Sequence, residues 1–364
     1  MDSQDPTLQR LIDQVRAARD RKSALDVRGG GTKAFYGGTP RGELLDMRPL
    51  AGISRHEPTE LVVTARAGTP LVELEAALAE HGQCLPFEPP RFGDGGTVGG
   101  MVAAGLAGPA RASAGAARDY VLGATLLDGN GELLTFGGQV MKNVAGYDVA
   151  RLLAGSMGVL GAICEVSLKV LPVAPDRATL AFEWDETQAL DRLNRWAGQP
   201  LPLNAGAWYE GRLYARLAGA RAAVRAARDR LGGVALEAGE ADAWWESVRD
   251  HRHAFFTLTA AELAGGECLW RLSVPATAAP LDLPGDRFIE WGGAQRWWRT
   301  RAPGEQTRAA AARAGGHATL FRAADKSAGV FAPLAPPLAR IHRGLKQAFD
   351  PAGVFNPGRL YPDL

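Results

Sequence analysis

Three glycine-rich stretches in the first half of the chain restrict its fold more than any other feature. Arg28-Gly29-Gly30-Gly31-Thr32-Lys33 directly follows the strand-like run Ala24–Arg28. Three glycines let the backbone bend and bring consecutive N–H groups to one point. Such a turn either holds a phosphate oxygen, with the Thr32 hydroxyl and the Lys33 charge in support, or is a plain tight turn. The second stretch, Gly93-Asp94-Gly95-Gly96-Thr97-Val98-Gly99-Gly100, runs through Met101 into residues 102–108, where every residue except Val102 and Leu106 is Ala or Gly. Small residues there accommodate either a bulky ligand or a closely packed element. The third, Gly155-Ser156-Met157-Gly158-Val159-Leu160-Gly161, enters the apolar run Ala162–Leu171. No G-x-G-x-x-G opens a helix after a first strand, and no G-x-x-x-x-G-K-[ST] occurs, so neither a Rossmann nor a P-loop site is indicated. A phosphate-binding role therefore calls for a different dinucleotide fold.

The rest of the pattern is that of a mixed chain of two or three domains, as 364 residues suggest. Apolar periodicity predicts a helix over residues 6–20, with Asp5 as cap and Leu8, Leu11, Ile12 and Val15 on one face. A second helix is expected over Pro70–His81. Val121–Leu127 and Glu132–Phe136 read as strands joined by the turn Asp128-Gly129-Asn130-Gly131. Beyond Pro172–Pro175 comes strand–helix–strand–strand–helix, the opening of a ferredoxin-like sandwich, over Ala178–Phe182, Glu186–Trp196, Ala205–Tyr209, Leu213–Leu217 and Ala220–Leu231. Later strands are expected at Cys268–Val274, Phe288–Trp291 and Ala318–Phe321. A proline-rich linker at Phe331–Pro337 precedes a last helix at Leu338–Phe349. No internal repeat is visible. A net charge of +1 gives no field for nucleic acid or an anionic membrane. Cys84, Cys164 and Cys268 are far apart and form no C-x-x-C pair, which excludes a disulfide framework or a cysteine-held cluster. No apolar run reaches the ~18–20 residues that cross a bilayer, and the N-terminus has no signal-peptide pattern. The expected location is cytoplasmic, with any attachment at the inner membrane made peripherally through partners.

Several segments, in order and spacing, resemble the vanillyl-alcohol-oxidase/PCMH-type FAD-binding flavoproteins. They are RGGGTK (28–33), LPFEPP (85–90), TVGGMVAAGLAGP (97–109), RDYVLGATLLDGNGEL (118–133), VMKNVAGYDVARLLAGSMGVLGAICEVSLKVLP (140–172) and DPAGVFNPGRLY (350–361). Within that family the chain looks most like the E-type FAD-binding subunits of glycolate oxidase, also in LWRLSVP (269–275) and WGGAQRWW (291–298). The resemblance implies an α+β fold: a two-subdomain PCMH-type FAD-binding domain over residues 1–174, a small ferredoxin-like α/β cap over 175–330, and a C-terminal segment, 331–364, returning to the FAD domain. It implies a first pyrophosphate loop at Arg28, Gly29, Gly30, Gly31, Thr32 and Lys33. Pro86, Glu88 and Pro89 match the segment passing beside the flavin. Thr97, Val98, Gly99, Gly100 and Ala103 match the second pyrophosphate loop. Arg118 and Asp119 begin a supporting strand. Gly158, Gly161, Ala162 and Ile163 match the adenosine-side segment, and Asn356, Pro357 and Gly358 the returning tail.

Departures from the family pattern sharpen the expectation. Some relatives hold FAD covalently through a His just after the first glycines; Thr32 stands there, which implies non-covalent FAD. Met157 and Val159 replace polar residues common in the third loop. The hydroxy-acid dehydrogenases of this family usually carry G-H-x-G-D-G-N-x-H, whose histidines hold a metal beside the substrate. That element is missing, so no metal site and no catalytic residue is assigned. His251 and His253 are a weak metal pair without a third ligand. His317 is either a base beside the flavin or a core histidine. The tryptophans, nine in all, either anchor an interface or fill the cap core. Arg296, Arg299 and Arg301 read as a contact for an acidic partner surface in preference to a substrate carboxylate. Lys142 is either a donor to the flavin or the salt-bridge partner of Asp148.

Together these features suggest an FAD-bearing subunit of a multi-subunit glycolate oxidase, converting a 2-hydroxy acid to a 2-oxo acid and passing electrons onward. Its expected partners are a second flavoprotein subunit, which carries the substrate histidines, and an iron–sulfur subunit. The alternatives are a stand-alone FAD-dependent hydroxy-acid dehydrogenase, or a structural subunit with weak or no FAD.

Overall fold

The computed structural model describes residues 5–138 and 147–364. Helix α1 (Pro6–Arg21) starts where the Asp5 carboxylate accepts from the N–H groups of Thr7 and Leu8 at 2.8 and 3.4 Å. Pro6 costs nothing in the first turn, where its missing N–H would have no partner. Leu8, Leu11, Ile12, Val15 and Ala18 bury one face. Strands β1 (Leu25–Arg28) and β2 (Glu43–Asp46) pair in parallel. Then follow β3 (Ile53–Glu57), β4 (Val62–Arg66), α2 (Leu71–Glu80), β5 (Gln83–Cys84), α3 (Val98–Ala104), α4 (Arg111–Ala114), β6 (Val121–Leu127), β7 (Leu133–Gly137), α5 (Val149–Leu152), β8 (Ala162–Lys169) and β9 (Leu171–Pro172). Strands β3-β4-β8-β6-β7 form an antiparallel five-stranded sheet. The β6–β7 turn is held by Asp128, whose carboxylate accepts from the N–H groups of Asn130 and Glu132 at 2.9 and 2.8 Å. Leu71, Leu74 and Leu78 of α2 pack with Val166 and Leu168 of β8 in one core.

The second half is built on an eight-stranded sheet. Its elements are β10 (Asp176–Glu183), α6 (Glu186–Ala197), β11 (Leu203–Tyr209), β12 (Arg212–Gly219), α7 (Arg221–Leu231), β13 (Val234–Ala235), α8 (Ala238–Arg249), α9 (Ala260–Ala264), β14 (Cys268–Ser273), β15 (Asp286–Glu290), β16 (Gln295–Thr300), α10 (Gly304–Arg313) and β17 (His317–Arg322). The strand order is β13-β10-β12-β11-β15-β16-β14-β17, antiparallel throughout. Its first four strands run fourth-first-third-second in chain order, the ferredoxin-like arrangement that the sequence suggested. The last four repeat that order in mirror sequence, with α10 before the final strand and no helix between β14 and β15. The two halves join through the β11–β15 edge. The sequence shows no repeat, yet the topology does.

Both faces of this sheet are covered, which accounts for the tryptophans. Trp298 and Trp270 pack under α10 with Ala310 and Ala311. Trp297 points to the opposite face, with Phe288 and Phe321. They fill the cap core. Of the three arginines expected to meet a partner, Arg296 and Arg299 are internal and Arg301 is exposed. Arg296 is fully buried and donates to the carbonyls of Gly293, Ala278 and Ala279. Arg299 pairs with Glu262 at 2.7 Å and Arg301 with Glu267 at 3.0 Å. Each is satisfied locally, and burial removes Arg296 and Arg299 from any partner surface, while Arg301 stays exposed.

Helix α11 (Pro336–Phe349) begins inside the expected linker and returns the chain to the first half. There Lys346 donates to the carbonyls of Val159 and Phe355, both at 2.8 Å, and to Asp350 at 2.7 Å. No helix among the described residues is long and apolar enough to cross a membrane. Replacing Arg296 with Met is expected to leave three buried carbonyls without donors and to lower stability by about 2–4 kcal/mol. Urea unfolding checks this; an unchanged midpoint would mean that the three carbonyls do not depend on Arg296.

Candidate functional site

Strand β1 delivers the first glycine loop to the space beneath the third. Two adjoining clefts lie there. Both are lined by Gly29, Thr97, Gly100, Ala103, Met157 and Asn356. The first loop and the second cross backbone to backbone: a Cβ on Gly30 would overlap the carbonyl of Gly95. Among the described residues, the N–H groups of Gly30, Gly31, Thr32 and Lys33 donate to no protein acceptor. Backbone N–H groups are nearly always paired when shielded from water, so this run of half-buried donors suits an anion. Lys33 adds a charge. Burial pushes its ammonium down to about 8, and no carboxylate pairs with it among the described residues.

The wall behind is made by the tail. Asn356 accepts from the N–H of Val27 and donates to the carbonyl of Met157, both at 2.7 Å. The N–H of Leu25 donates to Val354 and that of Asn356 to Leu25, so the tail pairs with β1. One amide thus ties the first loop's strand, the third loop and the C-terminus together. The segment after the first loop is held just as firmly. Arg359 donates to the carbonyls of Ala34 (3.3 Å), Tyr36 (2.6 Å) and Gly38, and Lys326 to those of Phe35 (2.6 Å) and Gly37 (2.8 Å). Five consecutive carbonyls alternate between one cation from the tail and one from the loop after β17.

Arg28, Gly29, Gly30, Gly31, Thr32, Lys33, Thr97, Gly99, Gly100, Ala103, Gly158, Gly161, Ile163 and Asn356 all line these two clefts. Other expected residues do not. Pro86 and Glu88 line a separate cleft against the cap, where Glu88 pairs with Arg216 at 2.6 Å and accepts from the N–H of Ala110. Pro89 is buried beside them. Val98 and Ala162 point into apolar cores because strand and helix periodicity turns them away. Arg118 and Asp119 are on the surface, where Asp119 accepts from the N–H of Ala116 at 2.8 Å. His317 opens β17 exposed, neither in a core nor in the clefts. His251 and His253 follow the end of α8 and pack on aromatic rings, and no metal-binding cluster occurs among the described residues. Lys142 lies outside the described residues; Asp148 pairs with Arg151 at 3.0 Å. Sequence reasoning missed Lys326 and Arg359, whose donors reach the loop only through tertiary folding. Arg359 had a signal, since it directly follows the matched Asn356-Pro357-Gly358.

The fit to a dinucleotide agrees with the comparisons. A family model described as an FAD binding domain matches residues 7–137. Glycolate oxidase subunit GlcE of Escherichia coli (strain K12) is 47% identical over 98% of this chain and 98% of that protein. Glycolate oxidase subunit GlcD of Bacillus subtilis (strain 168) is 30% identical over 44% of this chain and 35% of that protein. An alkyldihydroxyacetonephosphate synthase structure shares the fold, with a TM-score of 0.64 at 14% identity, over 96% of this chain and 74% of that one.

Two outcomes are expected. Gly30→Val forces the two loops apart and should abolish FAD retention, read from visible absorbance of the purified protein; normal FAD content would move the cradle elsewhere. Lys33→Met should weaken FAD binding about tenfold, or ~1.4 kcal/mol. Because an anion beside Lys33 raises its pKa from about 8, wild-type affinity should be full below pH 8 and fall as pH rises above it. Fluorescence titration with FAD between pH 7 and 10 checks this; the Met variant should lose that slope. With the loops, the closing tail and a full-length relative all in agreement, the chain belongs to the GlcE family of FAD-binding glycolate oxidase subunits, among the PCMH-type FAD-dependent oxidoreductases.

Proposed function

We propose that the chain is the FAD-bearing subunit of a multi-subunit glycolate oxidase, oxidising a 2-hydroxy acid to a 2-oxo acid and passing electrons onward. The observation that carries this is the continuous cradle of unpaired N–H donors, closed by the tail, in a chain that matches a glycolate oxidase subunit over almost its whole length. In this reading residues 1–174 with 331–364 hold the cofactor and residues 175–330 cap it. Gly30 to Lys33 take the pyrophosphate, Thr97 and Gly100 the facing side, and Gly158, Gly161 and Ile163 the adenosine side. Thr32 stands where a covalent link would need His, so binding is non-covalent. FAD, when bound, supplies the two-electron oxidation and the one-electron release that the side chains cannot. The protein's own residues bind and orient it, and the cap limits water.

Onward transfer follows from what the chain lacks. Its three cysteines are free and separate, so a cluster accepting electrons must belong to another subunit. The histidine element of related hydroxy-acid dehydrogenases is absent, which supports placing substrate oxidation on a second flavoprotein subunit. The test is direct. The purified chain should be yellow, and anaerobic glycolate or D-lactate should bleach it slowly or not at all until the partner subunits are added. Rapid bleaching of the isolated chain would establish a stand-alone dehydrogenase; a colourless chain with no FAD uptake would leave only a structural role.

A further inference from the structure

Between the clefts and the cap sheet lies a set of arginines that the cradle does not use. Arg271 of β14 and Arg322 of β17 are half-buried. Neither forms an ion pair among the described residues. Arg271 lies opposite Thr319 and Leu269 opposite Arg322, with a bulge between the two pairs, so the arginines stand on adjacent paired strands a short way apart. They sit over consecutive rings of the segment that follows the first glycine loop. The Arg322 guanidinium is 4.1 Å from the ring centre of Phe35, and its Nε is buried without an acceptor. The Arg271 guanidinium is 5.9 Å from the ring centre of Tyr36 and donates to its hydroxyl at 3.4 Å. Both lie close enough to His251 that burial, Arg322 and Arg271 in turn hold its imidazole well below the usual range, hence neutral. Arg111 is stacked on Trp291 at 4.5 Å and has no ion pair among the described residues; burial first, then the charges of Arg271 and Arg118, lower its pKa.

Like charges in a half-buried aromatic setting repel and are poorly hydrated, so the arrangement calls for an anion. The surrounding rings, Phe35, Tyr36, Phe321 and Trp297, supply none. The buried carboxylate of Glu290 lies beyond Trp297 and accepts from Trp297 at 2.6 Å and Gln295 at 3.2 Å. The anion needed here is not the pyrophosphate, whose donors are the glycine loop and Lys33. Guanidinium forks match planar carboxylates two bonds at a time.

We propose that Arg271 and Arg322 form a carboxylate-binding site for a small organic acid on this subunit itself. The site is made wholly by protein groups, so it goes beyond the cofactor reading and does not fall with it. The chain then binds acid as well as FAD, even though it lacks the histidine element.

The probes are oxalate, glycolate and glyoxylate, titrated into the full chain and followed by tryptophan fluorescence, since Trp297 faces Arg271 in the ladder, and by calorimetry. Saturable binding is expected, weakened at least tenfold in Arg271→Met and in Arg322→Met. Arg271→Lys keeps the charge but not the fork, and should also bind more weakly while retaining the wild-type near-ultraviolet circular dichroism. No saturable response to any of the three acids, or equal affinity in correctly folded variants, overturns the proposal. A response only to a peptide carrying Asp or Glu would assign the site to a partner's side chain and overturn it too. FAD content is measured separately from the visible spectrum, so loss of the cofactor reading and loss of this one are told apart.

Discussion

The crossing of two backbones at Gly30 and Gly95 is the constraint from which the rest of the site follows. No side chain fits there, because a Cβ on Gly30 would occupy the space of the Gly95 carbonyl. The crossing brings the end of β1 against the start of α3 and leaves a run of N–H groups facing the clefts instead of a sheet neighbour. Unpaired donors are costly, so the surrounding structure has to hold them in place. The tail does this through Asn356 on one side. Arg359 and Lys326 do it on the other, by taking up every carbonyl from Ala34 to Gly38. With those carbonyls occupied by cations, the peptide units cannot rotate and the loop keeps its donors facing the clefts.

The glycine loops were legible in the sequence for a physical reason: a position without room for a Cβ leaves a mark in the amino-acid type itself. Helix α1 was equally plain, because its cap, its proline and its apolar face coincide. The residues that turned away from the clefts show the limit. Val98 and Ala162 sit inside matching segments, but the alternation of faces along a helix or strand decides which neighbours share a site. Glu88 is a clearer case. The resemblance implied a place beside the flavin, but its carboxylate is drawn to Arg216, a residue 128 positions away that no local pattern could place, in a separate cleft.

In the cap's second half three strands were expected where β14, β15 and β17 lie, but β16 was not. The adjacent Trp297 and Trp298 were read as interface anchors or cap core, not as part of a strand. On a sheet covered on both faces, adjacent residues both bury, and the usual apolar–polar alternation vanishes. Repetition of the ferredoxin-like order likewise leaves no trace in sequence, since topology can repeat where side chains have diverged.

Charge pairing separates the structural arginines from the rest. Arg216, Arg249, Arg299 and Arg301 each meet a carboxylate within 3.0 Å, and Arg296 and Arg359 spend their donors on carbonyls. Such residues are explained by the fold. Lys33, Arg271 and Arg322 are not, and they fall along one line, from the first glycine loop across Phe35 and Tyr36 to the face of the cap sheet. Half-buried cations without anions are unfavourable in an isolated domain, and a chain of net charge +1 has carboxylates enough to pair them. Their concentration in one strip therefore marks where the molecule is incomplete by itself. One end of the strip suits a pyrophosphate, and the other suits a carboxylate held against aromatic rings.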